Sequence, residues 1–274
     1  MISATTNYKK PSVAIPVCGR QMPQPHYLTV KESLLQINNA GVSLLQAGDI
    51  KSAMIRLARC LAIMRTNSVE GDKEVHYRLS RPVRTKQVPE NFNLSPRYIF
   101  AAPLEIVCSQ PADCSSCHDE ELMSCKLLSL VLFNLSLAHH LYSQELREKT
   151  QNISDDGIKR TEEVSDFLRK SLRLYELCHS SLVFTNSGSD CSDLSLAVIV
   201  TNNVGEIHKD LHQQLERSHQ HQCPEAAMAC SEQLIQIFMF FAANGESKRL
   251  EGLGEILSNA MTTLNGPHIV APAA

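Results

Sequence analysis

The residues with the most direct chemical potential are Cys114-Ser115-Ser116-Cys117-His118. C-x-x-C-H is the spacing that attaches haem covalently. Cys108 and Cys125 flank it, so a zinc site or a dithiol redox pair is also conceivable. Haem attachment needs an export route and a second axial ligand, and zinc needs a second spaced pair. The stretch also sits in a polar loop ahead of an acidic helix start. A plain loop is the preferred reading, so no cofactor or metal ligand is assigned. A metal-binding or redox-linked protein centred on Cys108 to His118 stands as the alternative.

His208 and His212 lie one helical turn apart and could share a metal. No H-E-x-x-H, no phosphate-cradling glycine loop and no G-x-S-x-G occurs, and no acid/base pair stands out. No catalytic residue is assigned, and the chain is read as a non-enzyme. Asn134-Leu135-Ser136 and Asn152-Ile153-Ser154 match glycosylation sequons, but Asn134 falls within an apolar run.

Composition narrows the class. The chain has 274 residues, 43% hydrophobic and 20% charged, which supports a sizeable core. Only 5% are aromatic and none is Trp, which suits a Leu/Ala-packed helical protein. Formal net charge is −3, with no basic surplus for phosphate backbones, so no nucleic-acid partner is expected. The first residues hold no long apolar run, and no window approaches 18 uninterrupted apolar residues. That predicts no membrane span, reduced thiols and a cytoplasmic location, with the nucleus, or an organelle reached through the basic tail of Lys9, Lys10 and Arg20, as the alternatives.

The elements that would position these residues are helices. Ile37, Ala40, Gly41 and Leu44 recur at helical spacing, and Gly48-Asp49 mark a turn. Ile50, Ala53, Leu57, Cys60, Leu61 and Met64 form a second stripe. Thr29 and Glu32 form a capping box ahead of the first helix. Two antiparallel helices joined this tightly leave an apolar face that needs neighbours.

These residues resemble a tetratricopeptide repeat. Ile37 takes the first large slot, Ala40-Gly41 the Leu-Gly slot and Leu44 the Tyr slot; Ala53 and Leu57 take the Ala and Phe slots. Trp, Tyr and the closing Pro of the family are absent, with Arg65 at the last. The resemblance implies an all-α fold: antiparallel helix pairs in a short superhelical array with a concave surface. The family's carboxylate clamp is absent, because Asn38 and Val42, Phe133 and Leu137, and Asn202 and Glu206 occupy its positions.

The pattern recurs. Asn134-Leu135-Ser136 mirrors Asn39-Ala40-Gly41, as does Asn203-Val204-Gly205. Ser171, Tyr175 and Cys178, and then Ala227, Ser231 and Leu234, match Ala53, Leu57 and Cys60 at steps of four and three. His139 and His208 fall where Leu44 does, so packing is the simpler account of both.

The expected organisation is a flexible tail over 1–28 and a first helix pair over 29–66. An irregular insertion over 67–118 follows, with a small β-hairpin from 75–79 and 98–107. A helical repeat region spans 119–262, with a disordered insertion near 144–163, a linker over 185–190 and a polar loop before a helix opened by Pro224. A loose tail covers 263–274.

Asn39, Asn134 and Asn203 precede each small position by two residues. One reading is a polar ladder in a concave groove, whose amides hold an extended peptide's main chain. The other, preferred because the slot adjoins the inter-helix stripe, is that they satisfy carbonyls in the core. From register alone, the groove would comprise Asn38, Val42, Leu45, Asn134, Leu137, Asn203 and Glu206. The function implied is a non-enzymatic protein–protein adaptor or scaffold binding a peptide or a partner's helix, with no membrane contact.

Overall fold

A computed structural model describes residues 30–66, 75–79, 99–108, 120–151, 157–185, 191–216, 225–245 and 253–265. The expectations for the tail over 1–28, Thr29, the Cys114–His118 stretch, residues 186–190, Pro224 and residues 266–274 lie outside these residues. The loose tail expected from 263 is corrected at its start, where a helix runs to Asn265.

The described chain is helical apart from one pair of strands, the residues 99–103 that lead into the second strand, and short turns. The helices are α1 (Val30–Gln46), α2 (Ile50–Thr66), α3 (Glu120–Gln151), α4 (Gly157–Thr185), α5 (Cys191–Glu216), α6 (Glu225–Ala243) and α7 (Gly254–Asn265). Between α2 and α3 lie β1 (Val75–Leu79) and β2 (Leu104–Cys108). They pair antiparallel, Val75 opposite Cys108 and Leu79 opposite Leu104. Sequence neighbours pack on one another from α1 on α2 through to α6 on α7, and α3 also touches α1, α2 and both strands.

The α1–α2 turn follows from two residues. Gly48 takes φ +81°, a conformation that favours glycine. The Asp49 carboxylate accepts the Ser52 amide and caps α2. Gly41 then lets α1 and α2 close, since a Cβ there would sit 2.8 Å from the Leu57 side chain.

The second-helix slots are all core: Ala53, Leu57, Cys60, Ser171, Tyr175, Cys178, Ala227, Ser231 and Leu234 are each at most 5% exposed. The first-helix stripe is rotated from the expected one. Ala40 is exposed and Ile37 and Leu44 are half-buried, while Leu34, Leu35, Asn38, Gly41, Val42 and Leu45 are buried. The cause is that α1 is covered by α3 and β2 as well as by α2.

α3 is buried almost all round from Leu127 to Ser143, as its unbroken apolar run implies. The disordered insertion expected near 144–163 is corrected: α3 continues to Gln151 and α4 already begins at Gly157. Its polar residues serve extended helix ends. Lys149 pairs with Glu145 one turn away, and Arg147 reaches Asp210 on α5.

Candidate functional site

Three asparagines on α1, α3 and α5, two of them buried and one half-buried, build a polar arrangement against the core. Asn39 (α1), Asn134 (α3) and Asn203 (α5) each turn a carboxamide toward the extended segment Ile99–Val107. The Asn203 Oδ1 accepts the Phe100 amide at 2.9 Å, and its Nδ2 donates to the Phe100 carbonyl at 3.2 Å. Asn134 does the same with Leu104, at 2.8 Å for both bonds. Asn39 does the same with Ile106, at 2.9 and 2.7 Å.

A carboxamide carries one acceptor and one donor group, as a peptide unit does. Each asparagine therefore stands in for a neighbouring strand's C=O and N–H. The gripped residues 100, 104 and 106 differ by even numbers, so they share one edge of the segment. β1 occupies the opposite edge of β2. β2 is thus paired on one side by β1 and on the other by the Asn134 and Asn39 side chains, while Asn203 grips Phe100 ahead of the strand. Phe100, Ala102, Leu104 and Ile106 are buried in the core.

Further amides brace these rungs. Asn38 donates to Asn39 at 3.1 Å, and Asn202 donates to Asn203 at 3.1 Å. The Asn38 Oδ1 accepts from Asn134 of the next first helix, and the Asn202 Oδ1 accepts from Asn259 on α7, both at 3.0 Å. Asn259 therefore relates to Asn202 as Asn134 does to Asn38. Asn203 also donates to the Tyr175 hydroxyl at 2.9 Å, and burial pushes that phenol above its ordinary range.

Beyond the rungs lies a charged network. Arg147 (α3) pairs with Asp210 (α5) at 2.9 Å, and the Asp210 side chain is 1% exposed. Glu206, equally buried, accepts from Lys209 and from Asn259 at 3.0 Å. Burial raises the Glu206 carboxyl above its ordinary value, against the opposing pull of Lys209.

The seven expected groove residues require a correction. Asn38, Asn134, Leu137, Asn203 and Leu45 are fully buried, Glu206 is 1% exposed and Val42 2%. None offers a solvent-facing surface, because the chain's own extended segment lies on the asparagines and the apolar members belong to the core. Both readings of the asparagines thus hold in part: they satisfy core carbonyls, and those carbonyls belong to an extended main chain. Asn202, Asn259, Arg147 and Asp210 were missed, although Asn202-Asn203 repeats the dipeptide Asn38-Asn39 in the sequence.

The histidines are packed. Burial pulls His139 down to about 4 and lowers His208 from its ordinary value. His139 stacks on Phe167 with centroids 5.6 Å apart. Among the described residues no group of three or more His, Cys, Asp or Glu could hold a metal ion. One described helix, α6, is long and apolar enough to cross a membrane by length and composition. It packs between α5 and α7 and exposes Met239 and Phe240.

In comparisons with known proteins, the chain matches no family model, no curated protein and no solved structure.

Proposed function

We propose that this chain is a non-catalytic, cytoplasmic protein-interaction adaptor of tetratricopeptide-repeat-like build, whose first helices are arranged to hold an extended polypeptide. The observation that carries the reading is the set of three equivalent asparagines, each gripping one residue's amide and carbonyl. Repetition at bond level supports the repeat-like build. The Cys60 thiol donates to the Leu34 carbonyl at 3.4 Å, and the Cys178 thiol donates to the Ser129 carbonyl at 3.2 Å. Leu34 stands to Ser129 as Gly41 stands to Ser136, both 136 − 41 = 95 residues apart in the sequence.

Such an adaptor recognises partners through main-chain hydrogen bonds plus pockets for alternate side chains. Neither nucleic acid nor a membrane belongs to this reading. The test is selection of displayed peptides on the full-length protein, followed by calorimetry of the enriched sequences. A shared extended motif binding at one equivalent supports the adaptor reading. Recovery of no saturable binder overturns it.

A further inference from the structure

We propose that the asparagine rungs form a peptide-binding site for extended segments with apolar residues at alternate positions, and that residues 99–108 of this chain occupy it in cis. The proposal rests on the adaptor reading and names the ligand of that surface.

Three observations carry it. First, the rungs hydrogen-bond the segment at main-chain atoms of Phe100, Leu104 and Ile106. Main-chain recognition is indifferent to side-chain identity, so any segment able to lie extended in the same direction presents the same groups. Second, the side chains that enter the core set the sequence requirement. Phe100, Ala102, Leu104 and Ile106 are each at most 8% exposed, and Pro103 is buried with them, whereas Ile99, Ala101 and Glu105 are half-buried. The ligand pattern is therefore large, small, large, large at every second residue, with a compact residue at the Pro103 position and latitude at those of Ile99, Ala101 and Glu105. Third, the segment is bound by side chains of three separate helices, α1, α3 and α5. The helices supply the partners of one edge and β1 those of the other edge of β2, and neither set requires the bound chain to be continuous with the helices.

A cis segment competes at the high effective concentration of a tethered ligand. A partner peptide with the same pattern would bind weakly to the resting protein and more tightly once the cis segment is released. The matching occupant is an apolar extended stretch of another protein.

The probe is a fluorescein-labelled peptide of sequence 99–108 with Cys108→Ser, titrated against full-length protein by anisotropy. The expected result is binding to a Leu104→Asp variant at least about tenfold tighter than to the wild type. A peptide N-methylated at Leu104 and Ile106, which cannot donate to Asn134 and Asn39, should not bind. A helical Leu104→Asp variant with no saturable binding, or equal binding of the methylated peptide, overturns the proposal.

Hydrogen exchange on the wild type is independent of that variant's folding. Release of the cis segment short of global unfolding requires the Phe100, Leu104 and Ile106 amides to exchange at least about tenfold faster than those of Leu135 to Ala138 in α3. Equal rates overturn the proposal, even if a partner is found on another face. Wild-type dimers that form with exchange of this segment would make a second copy the occupant and overturn the assignment to a partner. Peptide binding as expected, with no binder from the displayed library, keeps the site and removes the adaptor reading.

Discussion

A single carboxamide, that of Asn134, satisfies both main-chain polar groups of Leu104, with both bonds at 2.8 Å. Both residues are fully buried, so water is not a ready substitute. Asn134→Leu would strand the Leu104 amide, leave its carbonyl with the 3.4 Å bond from Asn38, and remove the donor to Asn38. The expected cost is about 2–4 kcal/mol, from desolvated groups left without partners. Urea unfolding of the variant checks it. A loss under about 1 kcal/mol would mean that the rungs do not fix the segment.

Gly41 is a packing glycine. A Cβ there meets Leu57 Cγ and Cδ2 at 2.8 Å, while at Gly205 the nearest atom is Cys230 Cβ at 3.2 Å. Alanine gains about 1 kcal/mol of helix propensity at either site. Overpacking costs about 1–3 kcal/mol. Gly41→Ala should therefore destabilise, and Gly205→Ala should come out close to neutral. In a Leu57→Ala background the Gly41→Ala penalty should disappear, which a double-mutant cycle measures.

His139 should give stability a slope on the acid side. Burial, and after it the Lys170 ammonium, lower its pKa from 6.5 to about 4. Above pH 6.5 both native and unfolded states are neutral there. As pH falls from 6.5 toward 4, the unfolded state takes up a proton that the native state refuses, so stability is lost across that window. The loss is on the order of 2 kcal/mol, allowing for partial exposure of the ring. Glu206, raised by burial, works in the opposite sense: its contribution is present at low pH and is lost as pH rises. The discriminating measurement is thus the difference between wild type and His139→Phe from pH 4 to 7, with the variant flatter.

The Arg147–Asp210 pair should respond asymmetrically to truncation. The Arg147 side chain is 21% exposed and can turn to water, whereas that of Asp210 is 1% exposed. Arg147→Met leaves a buried carboxylate without its guanidinium and should cost about 3 kcal/mol. Asp210→Asn should cost about 1 kcal/mol. Equal costs, or the reverse order, in thermal unfolding would contradict this account of the pair.

Local periodicity determined much of this protein. Helix spacing placed Ala53, Leu57 and Cys60, and their counterparts in the later pairs, in the core, because which residues share a helix face depends only on neighbours a turn or two away. The Gly48 turn and the apolar belt of α3 were legible for the same reason. The strand at 75–79 was visible from its alternation. Its partner at 104–108 overlaps the end of the longer aromatic and β-branched run at 98–107.

Only the tertiary structure decided what the asparagines face. Asn203 and Phe100 are 103 residues apart in the chain, and no local pattern couples a carboxamide to a main-chain amide at that distance. The same limit explains why a solvent-facing groove was expected where the chain's own segment lies. It also explains why 144–163 looked like an insertion: Arg147 is a surface-type residue by sequence, and its place beside Asp210 on another helix emerges only when α3 and α5 are packed together.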